Sequence, residues 1–176
     1  MRITETPTQL LIKNKLTTLL LSFVLINPAL LQILPTSTYI KQEEEKRVDA
    51  EITELKTNVL AILQEDGQRD ISHKGFDEVF NILVEKVDKE SLVELIPVAY
   101  CESSFNQGGQ NTNKDNSKDN GIFQINSKYH SGVDVSTIEK NVDYAVKLYK
   151  ANSLNDWRAS KYCWQPVVSK MKSTLI

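Results

Sequence analysis

Among the 176 residues of this chain, the carboxylate best placed for acid–base work is Glu102. It follows Leu92, Leu95, Ile96 and Ala99 at helical spacing, so it falls at the end of a helix whose buried face reaches up to it. Burial disfavours an ionised carboxylate and moves such a group toward the behaviour of a general acid. From Gln107 to Ser127 the composition changes to Asn, Asp, Gly, Ser and Lys, which build turns and short hairpins, and this stretch carries Asp115 and Asp119. A helix-end acid facing a polar hairpin with further acids makes a cleft suited to a long polar substrate. On these grounds alone a solvated glutamate at a helix end is the plainer reading.

Other chemistries fit less well. Asp115, Ser117 and Asp119 resemble the start of a calcium loop, but the glycine falls one place late at Gly121 and the twelfth position is Asn126, not a bidentate Glu. Cys101, Cys163, His73 and His130 are zinc-type donors, yet no two stand at ligand-pair spacing. The S-x-x-K string Ser169–Lys172 stands without its companion motifs. Neither a metal nor an organic cofactor is expected.

The elements that must hold Glu102 follow from periodicity. Phe76, Val79, Phe80, Leu83, Val84 and Val87 have helical spacing, and Ser91 with Glu94 forms a capping-box pattern ahead of the next helix. Pro97 inside that helix removes a backbone hydrogen bond and predicts a kink or restart. Ile122, Phe123 and Ile125 predict a short buried strand, and Ile138, Val142, Ala145, Val146, Leu148 and Tyr149 return to helical spacing. The predicted order is helix, helix, small hairpin sheet, helix.

Charge divides the chain into three parts. Residues 1–40 carry Arg2, Lys13 and Lys15 against Glu5, and the run Leu16–Leu34 is uncharged and largely apolar, which predicts a signal peptide or a membrane anchor. Residues 41–66 hold eight acids against four cations, and Val48, Ile52, Leu55, Val59 and Ile62 line one face of an amphipathic stalk helix that Gly67 ends. Such a helix either packs on the following domain or serves as a docking or pairing element. Residues 67–176 hold both Cys, both His and both Trp, and form the compact domain. A hydrophobic content of 40%, with only 6 Gly and 5 Pro, excludes disorder and low-complexity classes, and a net charge of −2 argues against nucleic acid as a partner.

The stretch Glu102-Ser103-Ser104-Phe105-Asn106, the Asn-rich turn through Asp119, and Gly121-Ile122-Phe123-Gln124-Ile125-Asn126-Ser127 resemble the active-site segment of c-type lysozymes and related lytic transglycosylases, in register and without a gap. Asn155-Asp156-Trp157, with Cys163 six residues on, is similar to a second lysozyme motif. Cys101-Glu102-Ser103 resembles the C-E-S string of resuscitation-promoting factors. The resemblance covers about residues 88–165. Asn120 stands where lysozymes usually have an aromatic residue, and the closing motif of soluble lytic transglycosylases is missing.

The resemblance implies a small lysozyme-like α+β domain, mainly helical with a short antiparallel hairpin sheet, behind an N-terminal hydrophobic helix and the stalk. It implies cleavage of the β-1,4 bond between N-acetylmuramic acid and N-acetylglucosamine in peptidoglycan, with Glu102 as general acid and Asp119 as second carboxylate. Ser103, Gln124, Asn126, Tyr144 and Trp157 are then the substrate-side residues, with Trp157 packed against the acid. Cys101 and Cys163 fall on elements the match brings together, which together with an export-like N-terminus predicts a disulfide. The expected setting is extracytoplasmic, anchored or secreted, with glycan strands as partner, the membrane reached through the first segment and envelope machinery through 41–66. A non-catalytic, membrane-tethered glycan-binding or assembly protein is the alternative.

Overall fold

The structure is a computed structural model that describes residues 37–67 and 70–176. The expected signal or anchor segment lies almost wholly outside the described residues, among which no helix is long and apolar enough to cross a membrane. The chain divides into two units, the first ending at Val48 and the second running from Asp49 to Ile176. In the first unit the described residues from Ile40 onward are helical and exposed, with Lys41 paired to Glu45 and Lys46 to Glu43 along the helix.

Helix α1 spans Ser37–Asp66. Of its apolar stripe, Val59 and Ile62 are buried, Ile52 and Leu55 are partly buried, and Val48 is exposed. Beyond Asp49 the stripe therefore packs on the core of its own unit. Gly67, at φ +61°, takes the left-handed conformation that ends it.

Helix α2, His73–Lys86, starts at Ser72, whose Oγ accepts the Gly75 N–H, and buries Phe76, Val79, Phe80 and Leu83 as the spacing predicts. Each such side chain contributes about 1.5–3 kcal/mol by leaving water. Helix α3 is Lys89–Ser103, and its cap differs from the expected one. Asp88 accepts the Ser91 N–H at 2.7 Å, and this backbone hydrogen bond holds its carboxyl below the usual range. Glu94, the other half of the predicted box, instead accepts from the Tyr149 hydroxyl at 2.6 Å and from Lys172 at 2.5 Å, joining three helices. Burial and then the bond to Glu94 push the Tyr149 phenol up, while Glu94 raises the Lys172 ammonium. Pro97 lies buried inside α3, which runs through it as one helix because both its flanks are packed in the core.

A three-stranded antiparallel sheet follows, in the order β1-β2-β3, from β1 (Gln110–Thr112), β2 (Lys118–Asn120) and β3 (Ile125–Asn126). Ile122 and Phe123 are buried as expected but sit in a turn, not a strand, because Gly121 at φ +74° and Gln124 at φ +48° reverse the chain there. Helix α4, Ile138–Asn152, is capped by Thr137. Two elements absent from the predicted order come last: a 3-10 stretch, Ser153–Ser160, and helix α5, Lys161–Leu175, which buries Cys163, Trp164, Val167, Val168 and Met171 and packs on α3.

The chain just after Glu102 is the tightest place in the fold. Ser104 and Phe105 both take positive φ, 54° and 63°, which costs non-glycine residues about 1–3 kcal/mol each. Two contacts offset this: the Phe105 ring is buried edge-on against Phe76 at 5.3 Å, and the Ser72 N–H donates to the Ser104 carbonyl at 3.2 Å. Gly75 lets α2 approach so closely that a Cβ there would stand 2.0 Å from the Phe105 carbonyl oxygen. Gly75→Ala should therefore destabilise the domain by about 2 kcal/mol or more, read as a lower urea midpoint; an unchanged midpoint would mean that this approach is not tight.

Candidate active site

Glu102 is the penultimate residue of α3 and is half-buried. Two adjacent links tie this helix end to the segment that opens α5. Cys101 and Cys163 form a disulfide with Cα atoms 5.9 Å apart, and Ser160 Oγ lies 2.5 Å from Glu102 Oε1. The acid thus sits beside a covalent cross-link, on a helix fixed from both sides.

Trp157 is buried and its 3-10 stretch departs from helical dihedrals there. Its indole N–H donates to the Phe123 carbonyl at 2.9 Å, and its ring lies 5.7 Å from that of Phe123. The Trp157 carbonyl accepts from the Trp164 indole N–H at 2.9 Å and lies 3.0 Å from Ser160 Oγ. Trp157 therefore links the turn after β2 to the segment that touches Glu102.

Asp119 stands mid-strand in β2, opposite Asn111 on β1 and Asn126 on β3. Its Oδ1 accepts from Asn126 at 2.6 Å, and its Oδ2 accepts from Asn113 at 2.9 Å and more weakly from Asn111 at 3.5 Å. Three asparagine amides fix the plane of this half-buried carboxylate. Asp115 is occupied elsewhere: the Lys128 ammonium, then Ser117, hold its carboxyl far below the usual range.

The remaining sequence-selected residues have these partners. Ser103 Oγ donates to the Ile122 carbonyl at 2.8 Å and accepts the Asn106 N–H, so it ties the end of α3 to the turn. Gln124 donates its amide to the Gly109 and Gly121 carbonyls. Asn126, besides Asp119, bonds Ser117 and accepts the backbone N–H groups of Lys128 and Tyr129. Tyr144 belongs to another cluster, with its hydroxyl 3.2 Å from His130 Nδ1 beside a groove of about 260 Å³. A second groove, of about 380 Å³, is lined by residues 107–110, 120–121 and 133–136.

Two positioning residues escaped the sequence reading. Asn141 of α4, fully buried, accepts the Phe123 N–H at 2.8 Å and donates to the Asn120 carbonyl at 3.0 Å, so it holds both sides of the turn. A polar residue on the inner face of the α4 stripe, next to Val142, was its signal. Ser160 had none, since a single serine in a polar stretch carries no pattern.

Residues 86–162 match the sequence profile of the family described as lysozyme like domain. Among solved structures, a lysozyme from Litopenaeus vannamei is similar at 18% identity, over 61% of this chain and 99% of that one, with a TM-score of 0.47. No curated protein matches. The mainly helical α+β segment at residues 86–162, somewhat under half of the chain, is thus similar to lysozyme-like domains. The similarity lies where the motifs around Glu102 lead one to expect it.

The disulfide closes a sequence separation of 62 residues, which in the chain-entropy view stabilises by about 4 kcal/mol. Replacing both cysteines by serine should lower the unfolding free energy by about that amount under non-reducing conditions, where the native bond stays intact. Equal denaturation midpoints for the two proteins would remove the bond from the stability of the domain.

Proposed function

We propose that this protein cuts the β-1,4 bond between N-acetylmuramic acid and N-acetylglucosamine in peptidoglycan, with Glu102 as the general acid. The observation that carries the reading is the fixation of Glu102: half-buried at a helix end, beside a disulfide and in hydrogen-bond contact with Ser160, on a segment that matches a lysozyme-like domain. A carboxyl group so held donates its proton to the leaving glycosidic oxygen and later takes one back from the incoming hydroxyl. Asp119, held by three asparagine amides, is the second carboxylate that such chemistry uses when water finishes the reaction. When the C6 hydroxyl of the sugar attacks instead, the product is a 1,6-anhydro end and Asp119 has no nucleophilic role.

The Cys101–Cys163 bond supports an extracytoplasmic site of action, since disulfides persist in oxidising compartments. In this reading the uncharged N-terminal run carries the domain to or across a membrane, and the exposed part of α1 meets envelope components. Glycan strands are the substrate-side partner, and neither metal nor organic cofactor enters the steps.

The test is digestion of purified peptidoglycan followed by mass spectrometry of the fragments. Cleavage should be lost by about 10²–10⁴-fold in Glu102→Gln with the fold retained, because the amide is nearly isosteric yet has no acid proton. The fragment masses then assign the route, a reducing end being one water heavier than an anhydro end. Binding to glycan without any cleavage by the native chain would instead favour the non-catalytic tethered protein.

A further inference from the structure

Ser160 has one hydroxyl proton and two acceptors within reach. Its Oγ lies 2.5 Å from Glu102 Oε1 and 3.0 Å from the Trp157 carbonyl oxygen. That carbonyl already accepts the buried indole N–H of Trp164 at 2.9 Å. A carboxyl oxygen is the stronger acceptor of the two, and becomes stronger still once ionised. The shorter distance and the stronger acceptor direct the serine proton to the acid, and Trp164 already fills one of the two acceptor positions of the carbonyl. We propose that Ser160 is a positioning residue for Glu102: its hydroxyl donates to Oε1, fixes the carboxyl plane and leaves the transferable proton on Oε2. The proposal rests on Glu102 acting as the general acid.

The proton and electron changes balance around this arrangement. Before cleavage Oε2 carries the acid proton and Oε1 accepts from Ser160. On cleavage that proton passes to the leaving glycosidic oxygen, which keeps the electron pair of the broken C–O bond. The resulting negative charge is shared with Oε1, where the Ser160 hydrogen bond becomes charge-assisted. The incoming hydroxyl, of water or of the sugar, then forms the new bond to the anomeric carbon and returns its proton to Oε2. Ser160 keeps its own proton throughout. Without its hydroxyl the acid proton is divided between the two carboxyl oxygens, and the ionised state loses more stabilisation than the neutral one.

Ser160→Ala and Ser160→Thr in the full chain separate this role from simple packing. In Ser160→Ala, kcat should fall about tenfold with KM little changed. The alkaline limb of the pH profile should move up by about one unit, the difference between a hydrogen bond to a charged and to a neutral acceptor. Ser160→Thr, which keeps the hydroxyl, should restore both. The charged groups on the segments around α3, among them Asp77, Glu78, Glu85 and Lys86 on α2, Asp156, Arg158 and Lys161 around Ser160, and Lys170 and Lys172 on α5, are common to both variants, so the difference reports the hydroxyl. An alanine variant with the native limb and kcat, or a threonine variant no better than alanine, overturns the proposal. Should the alanine variant not fold, Ser160→Cys takes its place, with the same expectations in weaker form. The acid itself is tested apart: activity retained by Glu102→Gln overturns its role. In that event carbon-13 NMR titration of the Glu102 carboxyl, assigned by its loss in Glu102→Gln, still reads the hydrogen bond, and identical titrations with and without the Ser160 hydroxyl overturn it.

Discussion

The attachment of the end of α3 to the start of α5 is the constraint on which the site depends. A helix end is the place where a chain frays, since its last carbonyls have no partners within the helix. Here the last two turns hold Tyr100, Cys101 and Glu102, and each is tied outward: Tyr100 to Asp66 of α1 at 3.2 Å, Cys101 to Cys163, and Glu102 to Ser160. The carbonyls are met by the strained reversal at Ser104 and Phe105, which Gly75 and the Phe76 ring support from α2. In the proposed reaction an acid carried on so constrained an end has little freedom to turn away, which is the preorganisation that general-acid chemistry needs.

The hairpin solves the opposite problem, because it holds its shape with almost no apolar core of its own. Its three strands are two or three residues long, too short to be stable by backbone pairing alone. Side-chain amides supply the rest. Asn113, Asn126 and Gln124 each bond inside the hairpin or its flanking turns, and Asn141 reaches in from α4 to hold the turn from below. Gly121 is required on two counts, its positive φ and the 2.4 Å that would separate a Cβ from Asn141 Nδ2. The polar composition of residues 107–127 thus serves the sheet first.

What could be read from the sequence follows from the range of each interaction. The faces of α2 and α4, the inner stripe of α1 and the end of α3 at Glu102 were legible because helical periodicity is local. The fold class and the Cys101–Cys163 pair came from motifs whose spacing resembles a known family. Three things were not legible. Asp88 displaced the Ser91–Glu94 box as cap because Glu94 is drawn to Tyr149 and Lys172, which lie 55 and 78 residues away. Ile122 and Phe123 look like a strand, yet a glycine in the left-handed region turns them. Helix α5 carries Pro166 and a polar outer face, so its stripe of Cys163, Val167 and Met171 was lost among the polar residues.

Trp157 illustrates how the same residue serves structure and chemistry through different atoms. Its indole N–H and ring meet Phe123, on the hairpin side. One link to Glu102 passes through the backbone: the Trp157 carbonyl holds Trp164 and offers Ser160 an acceptor, and Ser160 meets the acid. The indole therefore fixes where the carbonyl stands, and the carbonyl in turn constrains the serine. A side chain chosen for burial thus sets the position of a polar group several bonds away, and hairpin, tryptophan, serine and glutamate form one connected chain of contacts. The disulfide runs parallel to that chain three residues further along, so a shift of α5 relative to α3 would strain both together.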